Sequence, residues 1–362
     1  MLQLFDKRRK RMFLMYVLSR ITFLCIIYVS GSSIKEICTL WDNEHYVSIA
    51  QNGYVLEWQT AFFPVIPILI RLIGQTGVII LNQVVLLATM LLLDELSDKK
   101  NYFVTDLFVM LPVSFFSLTL YTETLLCFLT LLAYYLFVKR RFGYTLGIII
   151  GLGVATKSIG AMLFFAVFIG MCYLWYQRQL SILDIIKTYI PATLISCMYP
   201  VYLQIVAGNW KLFVDCQYEY WNRIKTNPID ELIIQLKLIF YKGTDLHFIY
   251  RLNEVVTLIV VCFILYEIYA CLRACRHREC NRVNAMVMVM YMIFSMFAIN
   301  ASIRIPFDHA PTTSFYRYYY SLFPMYVLTT FLKEKEKDMI FIVSFVITLL
   351  ATVLYSIGYF FY

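Results

Sequence analysis

Long apolar runs alternate with short polar ones along the whole chain. The apolar blocks are roughly 16 to 21 residues long, the length a helix needs to cross the hydrocarbon layer of a bilayer. The pattern predicts eleven spans, near 12–31, 78–94, 103–120, 121–138, 145–158, 159–176, 189–206, 252–272, 283–300, 317–332 and 339–358. Of these, 145–158 and 317–332 carry the thinnest apolar signal. The expected fold class is all-α and polytopic, a single membrane domain over 1–362. The first span follows a basic cluster, but it is too long for a signal peptide and lacks a small-residue cleavage site. It therefore reads as an anchor.

Composition narrows this further. With 61% hydrophobic and 15% charged residues and a mean hydropathy of +0.71, an ordinary soluble domain is excluded. The net charge of +8 raises nucleic acid as a partner, but its distribution argues against one. Lys7 to Arg11, Lys99-Lys100, Lys139 to Arg141, the 177–188 loop, Arg273 to Arg282 and Lys333 to Lys337 all fall on one side if the spans alternate. Those loops hold 19 of the 31 Lys and Arg residues, which marks that side as cytoplasmic. The N-terminus is then inside and the C-terminus outside. The long polar loops, 32–77, 207–251 and 301–316, are external, so chemistry is expected on the extracytoplasmic face.

The first external loop carries the densest chemistry. Trp41 to Gln51 reads as a short helix stopped at Asn52-Gly53. On it Asp42, His45, Tyr46 and Ile49 share one face, so an acid and an imidazole project together at the membrane–water boundary. Trp41, Tyr54 and Trp58 have the apolar ring and polar edge that suit that depth. Ala61 to Arg71 follows, with Pro64 and Pro67 breaking it from the preceding helix. It is expected to be a re-entrant or interfacial piece whose Arg71 reaches phosphate head groups. In the second loop Asn227-Pro228 opens a helix, with Asp230 and Glu231 in its first turn. Its stripe of Ile229, Leu232, Ile233, Leu236 and Phe240 places it in the interface plane.

Most of the ten cysteines sit singly inside spans as small apolar fillers. Cys38 and Cys216 share the external side, where a pairing is open. Cys271, Cys275, His277 and Cys280 cluster on the cytoplasmic side without the spacing of structural zinc sites. The chain has no glycine-rich phosphate loop, no His-Glu-x-x-His site, no Gly-x-Ser-x-Gly elbow and no Asp-x-Asp pair. No metal and no cofactor are therefore expected.

The run Trp41-Asp42-x-x-His45-x-x-x-Ile49-Ala50-x-x-Gly53-Tyr54, with Glu57 and Ala61-Phe62-Phe63-Pro64-x-x-Pro67, resembles the PIG-V family. Its eukaryotic members are GPI mannosyltransferase II, and it has many bacterial relatives. The likeness extends through Leu111 to Phe115, Tyr121 to Leu125, Ala155 to Gly160 and Arg317 to Pro324. The chain departs from the family at Lys157-Ser158-Ile159-Gly160, where members usually carry Arg; the charge is kept but the bidentate fork is lost. Its length and the Gly208 to Arg223 segment look more like the bacterial branch.

The resemblance implies an inverting membrane glycosyltransferase of the GT-C superfamily that uses a polyprenyl-phosphate sugar. In eukaryotic members it adds the second mannose, through an α-1,6 linkage, to a GPI precursor in the endoplasmic reticulum, beside a partner membrane subunit. Inverting transfer needs one catalytic carboxylate, and Asp42 is the expected base. His45 is expected to orient Asp42 or contact the donor phosphate, unless it only makes a structural hydrogen bond. Arg317, then Lys157, then Arg71 are the expected donor-phosphate contacts. Trp41, Tyr54, Glu57 and Glu123 are expected at the substrate, Glu123 either on sugar hydroxyls or paired with Lys157. The acceptor would be a lipid-linked or surface glycan. The membrane would be the plasma membrane in a bacterium and the endoplasmic reticulum in a eukaryote. The same fold with another sugar, a transporter or flippase of lipid-linked substrates, and a non-catalytic subunit remain as alternatives.

Overall fold

Among the described residues, six helices are long and apolar enough to cross a membrane: Lys7–Val29, Val65–Leu96, Ile182–Ala207, Phe248–Arg276, Arg282–Ile299 and Glu334–Ser356. This is the signature of a multi-pass membrane protein. Glu123–Val138, Tyr144–Thr156 and Gly160–Tyr176 are shorter apolar helices. The computed structural model describes residues 2–97, 102–241, 248–277, 280–305 and 310–359. Lys99-Lys100, 242–247 of the second loop, 278–279 of the cysteine-rich turn and 306–309 of the third loop lie outside the described residues. Among the described residues the regular structure is helical apart from one antiparallel pair of three-residue strands, β1 (Arg223–Lys225) and β2 (Ser302–Arg304), which the apolar pattern does not announce.

Two expected spans are not continuous helices. The stretch 103–120 forms Phe103–Met110 and Pro112–Phe116, separated at Leu111, whose backbone is extended (φ −103°, ψ 174°). Pro112 causes this, because proline lacks an N–H and keeps the residue before it out of the helical region. The stretch 317–332 likewise becomes Phe315–Tyr320, Pro324–Val327 and a single 3₁₀ turn, Leu328–Phe331. Both segments lie at the centre of the molecule, where Phe108, Phe115, Phe116, Tyr316, Tyr320 and Tyr326 are fully buried. By contrast, only 17% of the apolar window of Ile182–Ala207 is buried.

Broken helices leave carbonyls that lipid cannot satisfy, so such segments are tolerated only inside protein. Here side chains supply the missing bonds. Gln83 Nε2 donates to Ser117 O at 2.7 Å, Asn82 Nδ2 to Thr119 O at 3.0 Å, and Tyr326 Oη to Tyr320 O at 2.7 Å.

The long helix Val65–Leu96 is interrupted at Gly74 (φ 73°, ψ 168°), a conformation essentially reserved for glycine. The piece before it, including Arg71, is thus set off from the piece that follows; Pro64 marks its start, as expected, while the break at Gly74 has no signal in the prolines. Close helix contact also has a local cause. A Cβ on Gly147 would collide with the Thr188 carbonyl, and one on Gly151 would come within 2.7 Å of the Ile195 Cβ. This small-xxx-small spacing lets Tyr144–Thr156 press against Ile182–Ala207.

Among the described residues, ion pairs gather at the two ends of the bundle. Where Leu2–Val29 begins, Arg8 pairs with Asp94, Arg11 with Asp106 (2.7 Å) and Lys139 with Glu95 (3.3 Å). The other end gathers the first-loop motif.

Candidate active site

The first-loop helix forms over Asp42–Asn52, and Gly53 (φ 76°) ends it by donating to Ile49 O at 2.8 Å. This matches the helix expected over Trp41 to Gln51 to within one residue. Asp42 and Glu44 occupy the first turn, where negative charge favours the exposed N–H groups. Trp41 enters the helix with φ 55° and ψ −128°, an uncommon backbone for a bulky residue.

Asn43, fully buried, fixes this entry. Its Nδ2 donates to Ile37 O, Leu40 O and Tyr355 Oη, and its Oδ1 accepts from Leu120 N at 2.9 Å. One side chain thereby ties the Asp42 turn to the turn that carries Glu123 and to the last helix. Sequence reasoning passed over Asn43; its place beside Asp42 was the only available signal.

Four charged residues meet here. Arg317, buried, donates from Nη1 to Asp42 Oδ2 at 3.0 Å, and its Nε lies 3.4 Å from Glu123 Oε1. Lys157 Nζ donates to the same Glu123 oxygen at 2.6 Å and rests 4.2 Å from the Tyr318 ring centroid. Arg317 is also flanked by the Tyr121 ring at 4.8 Å. Two acids and two bases balance. A cation this deep is costly without such partners. Glu123 is not left in water: its side chain is 0% exposed, whereas the Asp42 side chain is 21% exposed.

Two cavities open on this cluster. The first, of about 350 Å³, is lined by the polar Asp42, Tyr46, Lys157, Arg223, Arg304 and Arg317 and by the apolar Phe62, Phe63, Met162, Phe213 and Ile299, among others. The second, of about 330 Å³, is lined by Trp41, Asp42, His45, Trp221, Tyr250 and Tyr359 among others. Asp42, Trp221 and Arg304 line both. Asp42 is the only carboxylate lining either cavity among the described residues.

The other expected residues divide. His45 lies in an aromatic box, with ring centroids 4.8 Å from Trp58, 4.9 Å from Phe62 and 5.7 Å from Trp221. Burial pulls its imidazole below the ordinary value, while Asp42 and Glu44 pull the other way. Trp41 reaches the second cavity. Tyr54 and Glu57 line neither. Tyr54 Oη donates to Phe62 O at 2.7 Å, and Glu57 accepts from Tyr220 Oη at 2.8 Å, so both clasp loop to loop. Arg71 is exposed on the piece before Gly74 and also lines neither cavity.

Cys38 and Cys216 are buried free thiols whose Sγ atoms face different carbonyls, of Leu118 and Phe213. The second-loop helix forms over Pro228–Ile239, capped by Asn227 Oδ1 on Ile229 N and Asp230 N, both at 3.0 Å. Its predicted apolar stripe faces outward, with Ile229 72% and Phe240 74% exposed, while Glu231, Gln235 and Leu238 are buried. That orientation suits a helix whose outer face meets lipid.

Arg223, Trp221 and Arg304 at the site were not singled out from sequence. No local pattern joins them, because β1 and β2 come from different loops. Among known proteins, no family model, no curated protein and no solved structure matches the chain.

Proposed function

We propose that the chain is a multi-pass membrane glycosyltransferase that moves a mannosyl residue from a polyprenyl-phosphate donor to a lipid-linked or surface acceptor, with inversion. The observation that carries this reading is Asp42, among the described residues the lone carboxylate lining either of two cavities and common to both. An inverting transfer presents the acceptor hydroxyl on one face of the sugar and the leaving phosphate on the other, and it needs a single base, on the acceptor's side. Arg317 holds Asp42 Oδ2, which fixes the carboxylate and leaves Oδ1 for the acceptor proton. Glu123, buried and engaged by Lys157 and Arg317, serves to hold those cations in place. The His45 box, with Trp58, Phe62 and Trp221, offers ring faces suited to a sugar.

In this reading the chain crosses the membrane eleven times with a GT-C arrangement, the broken segments 103–120 and 317–332 being interior crossings. The N-terminus is cytoplasmic and the site extracytoplasmic, at the plasma membrane of a bacterium or the endoplasmic reticulum of a eukaryote. A partner membrane subunit belongs to the eukaryotic case. The sugar is the least constrained element, since nothing in the first loop reads one epimer.

The test is transfer of labelled mannose from polyprenyl-phosphate mannose in membranes holding matched amounts of wild type or Asp42→Asn. Wild-type transfer that falls by at least about a hundredfold in the variant supports the reading. Equal transfer by both removes Asp42 from the mechanism.

One observation favours a second reading, transport of a lipid-linked substrate. Glu267 is fully buried in the helix Phe248–Arg276, and neither carboxylate oxygen finds a hydrogen-bond partner. Intramembrane acids of this kind mark proton-linked transport as readily as structure. Acid-dependent movement of a polyprenyl-phosphate sugar across liposomes, lost in Glu267→Gln and kept in Asp42→Asn, would replace the transferase reading.

A further inference from the structure

The strands β1 and β2 pair two loops, and the register of that pairing matters. Hydrogen bonds from Ile305 N to Asn222 O (2.9 Å) and from Thr226 N to Ala301 O (3.0 Å) bracket it, with Arg223 opposite Arg304. That position falls between hydrogen-bonded pairs, where antiparallel side chains come closest, their Cβ atoms about 4.5–5.5 Å apart. Both arginines therefore leave the ribbon on one face, followed by the Lys225–Ser302 pair, while Ile224 and Ile303 take the other.

Like charges directly opposite destabilise a strand pair. Among the described residues neither arginine makes an ion pair. Arg223 Nη1 donates to Ser302 O at 3.2 Å. Arg304 Nε is buried and without a hydrogen-bond partner. Burial, and next the Arg223 charge, pull the proton affinity of Arg304 below arginine's ordinary value, with Asp42 and Tyr318 acting against them. Asp42 itself is already engaged by Arg317.

Both arginines line the first cavity, whose remaining wall includes Phe63, Met162, Phe213 and Ile299. A doubly cationic edge beside an apolar wall fits an amphiphile with an anionic head. Two adjacent guanidinium forks match the oxygens of a phosphate.

We infer that Arg223 and Arg304 bind the phosphate group of an amphiphilic phosphate ester, its apolar part lying along the Phe63–Phe213 wall. The choice of a polyprenyl phosphate as that ester rests on the reading above; the anion site itself follows from the charge pattern. Lys157 and Arg317, committed to Glu123 and Asp42, position the base and leave the phosphate to the arginine pair.

The experiment measures binding rather than turnover. Full-length protein in nanodiscs is titrated with a polyprenyl monophosphate, with the neutral polyprenol of equal length, and with inorganic phosphate as competitor. The phosphate ester should bind at least about tenfold tighter than the alcohol, since it alone makes charge-assisted bonds. Arg304→Gln should erase that difference. Arg223→Glu is the second variant, because a carboxylate opposite Arg304 should raise the unfolding midpoint while abolishing phosphate binding. Discrimination that survives in either folded variant overturns the inference. Inorganic phosphate binding as tightly as the ester would keep the anion site and remove its apolar half. Phosphate binding without sugar transfer would sink the transferase reading and leave this one standing.

Discussion

Two pairs of cations line the same cavity and sit in opposite electrostatic circumstances. Lys157 and Arg317 are matched by Glu123 and Asp42, each at ion-pair distance. Arg223 and Arg304 face one another across β1 and β2, and among the described residues neither makes an ion pair. A balanced cluster holds geometry in the free protein, because removing one member strands the charge of another. An unbalanced pair does the reverse: it costs stability until an anion arrives, and that debt is characteristic of binding sites.

The comparison breaks first, and most severely, at Arg317. Arg317→Gln leaves Asp42 and a fully buried Glu123 without their shared partner, an expected loss of about 3–5 kcal/mol. Thermal unfolding in detergent should show a much lower midpoint, whereas Arg304→Gln should leave it equal or higher. Similar losses in the two variants would erase the distinction between the pairs.

Next in size is the chemical step. Asp42→Asn keeps the shape of the site and leaves Arg317 its contact with Glu123, so the protein should fold while sugar transfer drops by about a hundredfold or more. A folded Asp42→Asn enzyme with full activity would assign the base elsewhere.

Lys157→Gln sharpens the balanced side. It removes a bond to a buried carboxylate that retains Arg317 at 3.4 Å, so the expected loss is smaller, about 1.5–3 kcal/mol. In the double variant Lys157→Gln/Glu123→Gln most of that loss should return, because donor and acceptor then leave together. A double variant no more stable than the single would show that Lys157 acts apart from Glu123.

The smallest expected effect is local and concerns Glu231, buried on the inner face of Pro228–Ile239. Burial, and then the neighbouring Glu254, raise its carboxyl from 4.5 to about 7. The acid is thus easier to protonate in the folded protein. Its contribution to holding the helix down is full below pH 4.5 and is lost as pH rises through about 7. Amide hydrogen exchange in 228–239, corrected for intrinsic rate, should speed up between pH 5 and 8 in the wild type and less steeply in Glu231→Gln. Equal slopes in the two would remove Glu231 as the cause.

Much of this molecule is legible locally. Apolar runs mark the helices, and Asn52-Gly53 marks the end of the first-loop helix. Pro64 and Pro67 mark the piece before Gly74, and Asn227-Pro228 marks the second-loop helix. Each rests on short-range effects: hydrophobic period, a missing N–H, a positive φ. The motif residues Asp42, Lys157 and Arg317 could be singled out the same way, as charges at the rim of apolar segments.

What those charges touch is a different matter. The Arg317–Asp42 bond spans 275 positions of chain, and no periodicity encodes which acid an arginine will meet. The same holds for Asn43, which reaches Tyr355 and Leu120, and for the arginine pair set by the register of β1 on β2. The segments 103–120 and 317–332 look in sequence like ordinary or weak spans, yet their prolines and polar side chains suit them to the interior, where neighbours satisfy the broken backbone. The sequence by itself determined a multi-pass helical protein and the residue types at its polar rim. Only the tertiary structure decided which cations are neutralised and which remain open to a ligand, because pairing depends on distances between elements that local preferences do not set.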